Sequence, residues 1–345
     1  MNDALLADPP KNALQRLLEE HFSATNLATL LGPESAALGR SIWSRALEGP
    51  VLDFVERPGK AFRAELVTRC FELVGGRGTC PEGLSAIVEI LHAGSLIIDD
   101  IEDESAARRG APALHTLHGL PVALNAGNWM YFWALSLIEH LDVESDVMLS
   151  LYRWSHRTLL RCHHGQGLDL TANVYELAQS EVPQVVTATA ELKTGALMEL
   201  SAVLGAVAAG APPKLVEELA CFGRSVGVAL QMLDDVGGLV SEKRCHKGHE
   251  DLLWGRPTWP WAWLCAELSK ERFAELVELG LAVAGRKLHP EVLARRLRGH
   301  LRGSGRVRVR RHIHAAFARL ERVTGPSLVL SDMRADLHRM EKSYG

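Results

Sequence analysis

Between residues 96 and 110 the chain reads LIIDDIEDESAARRG. Five acids, Asp99, Asp100, Glu102, Asp103 and Glu104, fall within six positions at the end of an apolar run, and Arg108 and Arg109 follow at once. On a helix Asp99 and Asp103 lie one turn apart and project together, with His92 two turns earlier near the same face. Two like charges at that spacing repel, so the arrangement costs stability unless a cation joins them. Carboxylates are hard oxygen ligands, and Mg2+ takes one or two of them together with phosphate oxygens and water. A helix surfacing into solvent would use the same residues, so the rest of the chain has to decide.

A second acidic end follows the apolar run FGRSVGVALQMLDD, where Gln231 precedes Asp234 and Asp235 by three and four positions. Gly223 and Gly227, four apart, make a smooth strip for another helix. Two helices delivering paired aspartates from apolar walls suggest a pocket acidic at its mouth and greasy below. Such a pocket fits a hydrocarbon tail carrying a diphosphate held through Mg2+. Cations are in supply: Lys60 and Arg63 on one helix face, Arg108 and Arg109 after the first cluster, Lys193 in an apolar helix, Lys247 and Arg256 after the second. The arginine fork suits phosphate geometry because it donates two parallel hydrogen bonds.

The elements that must position these residues are helices. Leu84, Ile87, Val88, Leu91, Ser95 and Ile98 recur at three- and four-residue spacing, as do Phe222, Val226, Ala229, Leu230 and Leu233, and no alternating run calls for strands. Loops are marked at Gly75–Gly76, Gly110–Pro112, Gly119–Pro121, Gly210–Pro213, 237–248 and 255–260, and Pro121 suits a first helical turn. The expected fold is all-α, one domain over 13–345 behind a disordered 1–12.

With 345 residues, 47% hydrophobic and 23% charged, the chain has material for a large core. Its net charge of -4 gives no reason to expect nucleic acid. Six scattered cysteines without a C-x-x-C pair read as free thiols, no secretory signal opens the chain, and the apolar stretch 200–211 falls short of a bilayer span. The expected location is cytoplasmic. The arginine-rich stretch 295–311 reads as solvated helix faces and loops, with anion or membrane binding as the alternative.

Taken in order, PGKAFR (58–63), LHAGSLIIDDIEDESAARRG (91–110), NAGNWMYF (125–132), HHGQGLDL (163–170), KTGAL (193–197), QMLDD (231–235) and EDLLWGRPTWP (250–260) resemble the trans-isoprenyl diphosphate synthases, the polyprenyl synthetase family, and within it the geranylgeranyl diphosphate synthases. The resemblance implies a single-domain helical bundle around a deep cavity, usually a homodimer. It also implies Mg2+-dependent head-to-tail condensation of isopentenyl diphosphate with an allylic diphosphate. It assigns Asp99, Asp100, Asp103, Asp234 and Asp235 to a cluster of three Mg2+ ions, and Arg108, Lys193 and Lys247 to the allylic diphosphate, with Arg256 where a lysine is usual. Lys60, Arg63, His92 and Arg109 would hold isopentenyl diphosphate, while Gln231 and Thr194 would face the developing allylic cation. Small Gly94 and Ser95 leave room near the mouth, and Tyr131, Phe132 and His163 match the floor that sets product length at geranylgeranyl, with farnesyl or longer products as alternatives.

The chain also departs from the family pattern. Gly238 stands where a third carboxylate of the second motif belongs, and Gly237–Gly238 is expected to end that helix early. The following loop is short, so either Lys247 or His246 matches the family lysine. Two other functions stay in view: a terpene cyclase on the same fold, which needs no isopentenyl site, and a weakly active regulatory subunit that binds prenyl diphosphates.

Overall fold

A computed structural model describes residues 12–242 and 244–343. The expected disordered segment lies outside them except at Asn12, which caps the first helix: its side chain accepts from the Gln15 N–H and Gln15 answers to the Asn12 N–H. Helices account for the regular structure of the described residues apart from one pair of two-residue strands, Ala107–Arg108 and Ala111–Pro112. The sequence gives no sign of that hairpin because two residues are too few to show alternation. Its turn is Arg109–Gly110, both at positive φ (54° and 80°), as a two-residue hairpin of the primed type requires. All six cysteines are free thiols.

Contacts among the described residues group into two compact units, one from residues up to 64 with 81–142 and the other from residues 65–80 with those from 143 onward. In the first unit three helices matter here: α1 (Gly49–Val55), α2 (Glu82–Glu102) and α3 (Leu120–Ser136). The periodic apolar residues of α2 face inward, with Leu84, Ile87, Val88 and Leu91 at most 2% exposed. Each such side chain contributes about 1.5–3 kcal/mol by leaving water. Pro121 does sit in the first turn of α3. Two glycines set how closely α2 and α3 pack. A Cβ on Gly94 would stand 2.9 Å from the Gly127 carbonyl oxygen, and one on Gly127 would meet Ile98.

The second unit is built on α4 (Ser145–Thr171), α5 (Ala196–Ala208), α6 (Pro213–Val240), α7 (Cys245–Trp254) and α8 (Trp259–Glu267). Every residue of α5 from Ala196 to Val207 is buried, which is why the apolar stretch at 200–211 is hydrophobic all round. No helix of the described residues is long and apolar enough to cross a membrane. Glu199, buried inside α5, is compensated by Arg161 and Arg224, each at 2.8 Å. Gly223 lets α6 cross α5, since a Cβ there would lie 2.5 Å from the Met198 carbonyl oxygen. Contrary to expectation, α6 does not stop at Gly237–Gly238 but continues to Val240, because both glycines are buried within it. The arginine-rich stretch forms parts of two helices, Pro290–Leu301 and Ser304–Thr324. Arg298 donates to the Leu239 carbonyl at 2.7 Å, Arg310 pairs with Glu341 at 2.7 Å, Arg308 pairs with Glu267, and Arg295, Arg296, Arg302, Arg306 and Arg311 are exposed.

Candidate active site

In the first unit the acidic cluster ends α2. Asp103 is the C-cap, its N–H donating to the Asp99 carbonyl at 2.8 Å, so the two carboxylates keep the one-turn relation expected of them. Asp99 and Asp103 are half-buried, whereas Asp100 is only 1% exposed. Arg108 turns back from the hairpin onto this end. Its Nε lies 2.7 Å from Asp100 Oδ1 and its Nη2 lies 3.4 Å from Asp99 Oδ2. Burial pushes the Asp100 carboxyl up, and the Arg108 guanidinium opposes that shift. Asp100 Oδ2 is buried with no hydrogen-bond partner, an acceptor that costs about 1–3 kcal/mol if nothing positive meets it.

This end fits Mg2+: three hard carboxylates stand within five residues, and one buried oxygen is unsatisfied. Among the described residues no group of three or more His, Cys, Asp or Glu side chains is placed to hold a metal ion, so an ion here would need phosphate oxygens and water as well.

The basic residues of this unit form a cluster around His92 and Arg109. Burial, then Arg63, Arg109 and Arg108, hold the His92 imidazole well below its ordinary pKa, so it is neutral at physiological pH and can accept or donate one hydrogen bond. Burial and the neighbouring guanidinium groups of Arg63, Arg108 and Arg57 lower Arg109. The Arg109 guanidinium lies over the Phe54 ring at 5.5 Å, and a Cβ on Gly59 would approach it to 3.5 Å. Lys60 does not share a helix face with Arg63. It lies in the exposed loop before the helix Phe62–Leu73, kept non-helical by Pro58–Gly59 and by Ala61 at φ 47°.

Arg57, which spacing does not single out, holds this cluster in place. Only 8% exposed, it donates from Nη2 to Asp53 Oδ1 (3.1 Å), from Nε to the Asp53 carbonyl (3.2 Å) and from Nη1 to the Arg108 carbonyl (3.3 Å). His118 Nε2 meets the other Asp53 oxygen at 3.0 Å.

The expected floor residues separate. Tyr131 lies against Gly94, its Cε1 3.4 Å from where a Cβ would be, so the space beside Gly94 is filled by α3 rather than open. Ser95 turns its hydroxyl onto the His92 carbonyl at 2.8 Å. Phe132 is 71% exposed, because one residue along a helix rotates the side chain by about 100° away from Tyr131. His163 is exposed on α4 of the other unit.

In the second unit, the segment Glu191–Gly195 between two helices is wound as one π-type turn, a local widening frequent at functional sites. It carries Lys193 and Thr194. Gly227 of α6 packs on it so closely that a Cβ would stand 2.7 Å from the Thr194 carbonyl oxygen. Thr194 donates to Gln231 Oε1 (2.8 Å), Gln231 Nε2 donates to Asp235 Oδ1 (2.8 Å), and the Trp259 N–H donates to Asp235 Oδ2 (2.8 Å). Burial pushes the Asp235 carboxyl up to about 8. Asp169 takes both Lys193 Nζ (2.7 Å) and Arg256 Nη1 (3.1 Å). Asp234 takes Lys247 Nζ at 3.2 Å and is also paired with Arg244. Burial works to raise Asp234, but Lys247 and Arg244 prevail and hold it below its ordinary value. His246, the alternative to Lys247, is instead paired with Glu250 at 3.2 Å on the exposed side of α7.

In this geometry Asp234 and Asp235 are both paired within the protein. Both oxygens of Asp235 are engaged, Asp234 is held by two cations, and the third position abuts the backbone of α7. A Cβ on Gly238 would lie 3.2 Å from Gly248 Cα and 3.3 Å from its nitrogen. Asp169 and Arg244, like Arg57, escaped the sequence reading. Their partners lie 24, 87 and 10 residues away, distances at which spacing carries no signal. A concavity of about 660 Å3 along α4, lined by Arg153, Trp154, Arg157 and Leu160 among others, contains none of these groups.

Residues 44–282 match the Polyprenyl synthetase family. The chain is 31% identical over 235 residues to a geranylgeranyl pyrophosphate synthase of Eremothecium gossypii, covering 66% of this chain and 73% of that protein. It is 29% identical over 189 residues to a geranylgeranyl diphosphate synthase of Sulfolobus acidocaldarius, covering 54% of this chain and 56% of the other. The solved geranylgeranyl pyrophosphate synthase of Lactobacillus brevis superposes with a TM-score of 0.72 at 20% identity over 95% of both chains, a likeness of fold. With residues 44–282 matched and the all-α fold shared, the chain belongs to the polyprenyl synthetase family and is a trans-prenyltransferase.

Proposed function

We propose that this prenyltransferase condenses isopentenyl diphosphate head-to-tail with an allylic diphosphate, in a Mg2+-dependent reaction, to give geranylgeranyl diphosphate. The observation that carries the reading is the α2 end: two half-buried carboxylates one turn apart, a buried unsatisfied Asp100 oxygen, and Arg108 folded back onto them. The product rests on the two geranylgeranyl diphosphate synthase relatives.

In the reaction the allylic C–O bond breaks, a C–C bond forms to the isopentenyl double bond, one proton is lost and pyrophosphate leaves. Asp99 and Asp103, with Asp100 behind them, would hold the Mg2+. When bound, the metal supplies positive charge to the departing diphosphate. Arg108 binds the same group, adding a fixed donor that needs no reorganisation as charge develops, and diphosphate binding is the role proposed for Lys193 and Lys247 within the second unit. Lys60, Arg63 and Arg109 bind isopentenyl diphosphate, and neutral His92 offers a hydrogen bond without adding charge. Gln231, fixed between Thr194 and Asp235, presents an oriented amide dipole toward the cationic carbon.

A cyclase would have no use for the Arg63–His92–Arg109 cluster. We further propose a homodimer in the cytoplasm. Leu120, Leu124 and Phe132 lie on one stripe of α3 at multiples of four residues and are 52%, 42% and 71% exposed, which suits a second copy.

The test is incubation of the full chain with Mg2+, labelled isopentenyl diphosphate and, separately, dimethylallyl, geranyl and farnesyl diphosphates, with and without chelator. Metal-dependent geranylgeranyl diphosphate is the expected product. A cyclised hydrocarbon from a single diphosphate, or no elongation, would overturn the reading.

A further inference from the structure

We infer that the second aspartate motif of this chain holds no metal of its own, and that Arg244 with Lys247 supplies in its place the positive charge that meets the diphosphate. The inference rests on the prenyltransferase reading and narrows it: metal is confined to the α2 end of the first unit.

Three independent features of the second unit carry it. The first is space. Gly238 and Gly248 bring α6 and α7 together backbone to backbone, and a Cβ on Gly248 would overlap the Gly238 carbonyl. A carboxylate at 238 would have to displace a helix. The second is donor capacity. Asp235 anchors the first turn of α8 through the Trp259 N–H and orients Gln231, so both of its oxygens already have hydrogen-bonding duties.

The third feature is charge. Lys193, Arg244, Lys247 and Arg256 surround Asp169 and Asp234, with Asp251 close enough to sense Lys247, Arg256, Asp234 and Asp169. Four cations thus stand against four carboxylates even when Asp235 is counted as ionised. The charges cancel, so this cluster offers a divalent cation no net negative charge of its own. A balanced cluster suits an anion, and Lys247, 57% exposed, can exchange Asp234 for phosphate oxygens.

Arg244 is therefore a diphosphate-binding residue supplied by the turn before α7. Its placement follows from the close α6–α7 crossing: the glycine pair that removes the third carboxylate also brings the start of α7 against Asp234.

The test counts bound Mn2+, used for Mg2+, by the electron paramagnetic resonance of the free ion, with saturating inorganic pyrophosphate as the probe. Wild type, Asp99→Asn, Asp234→Asn and Arg244→Gln full-length chains are compared, with circular dichroism confirming the fold of each. Pyrophosphate affinity is measured alongside by calorimetry, in chelator and in Mn2+. Asp99→Asn should lose metal, while Asp234→Asn and Arg244→Gln keep the wild-type count. Arg244→Gln should bind pyrophosphate about tenfold more weakly in both conditions, the scale of one charge-assisted hydrogen bond.

Loss of an ion in Asp234→Asn, or unchanged pyrophosphate affinity in Arg244→Gln, would overturn the inference while leaving the synthase reading intact. If Asp234→Asn does not fold, the affinity of Arg244→Gln decides alone. Absence of any pyrophosphate-dependent metal uptake by wild type would overturn the synthase reading itself, and the inference with it.

Discussion

Arg57 is assigned no substrate contact of its own, yet it ties the Arg108 carbonyl to Asp53 and through it to His118. Arg109 occupies a left-handed backbone conformation that only its surroundings sustain. Removing the support should let the hairpin relax. Arg57→Gln is expected to raise KM for isopentenyl diphosphate about tenfold, equivalent to one or two hydrogen bonds, with a smaller change in kcat and an unaltered circular dichroism spectrum. An unchanged KM would make Arg57 a packing residue only. Asp53 gives the same contact a pH signature. Burial works to raise its carboxyl, but His118 and Arg57 hold it below its ordinary value. A depressed carboxylate contributes stability above its unfolded pKa and loses it as pH falls through the folded one. The melting temperature of wild type should therefore exceed that of Asp53→Asn near neutrality, and the two should converge below the ordinary carboxylate range. At this scale the sequence exposed residues whose partners lie within a helical turn, such as Asp99 with Asp103. It concealed Arg57, whose bond to Asp53 is local but whose role comes from the distant Arg108 carbonyl, and Asp169 and Arg244, whose partners lie beyond a helical turn.

Helices in this protein approach one another where glycines stack, and the chemistry follows those approaches. Gly94 and Gly127 seat α2 on α3, Gly227 seats α6 on the π-type turn of Thr194, and Gly238 with Gly248 seats α6 on α7. Gly248→Ala should cost about 1–3 kcal/mol by forcing α6 and α7 apart, read as a lower melting temperature with weaker pyrophosphate binding. No change in either would mean that the two helices tolerate separation. The α2–α3 contact also divides the aromatic pair on α3. Tyr131→Ala should lengthen the products because Tyr131 is the ring that lies against α2, whereas Phe132→Ala should leave product length unchanged and weaken self-association. Product analysis and sedimentation would check the two outcomes, and equal effects of both variants on product length would contradict the division. The periodicity that announced these helices also misled in two places. A glycine pair was expected to stop α6, but glycines end a helix only when nothing packs on them. A helix face was expected for Lys60 and Arg63, but Pro58, Gly59 and Ala61 break it.

Across the whole chain the all-α class was legible because core burial at three- and four-residue spacing leaves a long-range pattern, while the Arg108–Arg109 hairpin was not, being shorter than any period. The ordered motifs carry the family resemblance, and the match over residues 44–282 agrees with them. Division into two compact units was not legible, since the unit boundaries at 64/65, 80/81 and 142/143 carry no single change of composition. The central claim, that the carboxylates ending α2 hold the metal through which the diphosphate departs, is tested most directly by one substitution. Asp99→Asn keeps the size of the side chain and removes its charge. Turnover of labelled isopentenyl diphosphate with farnesyl diphosphate, titrated with Mg2+, should fall by at least about a hundredfold, the scale of losing one charge-stabilising group in a transition state, while the melting temperature holds. Turnover equal to wild type at the same Mg2+ concentration would contradict the account.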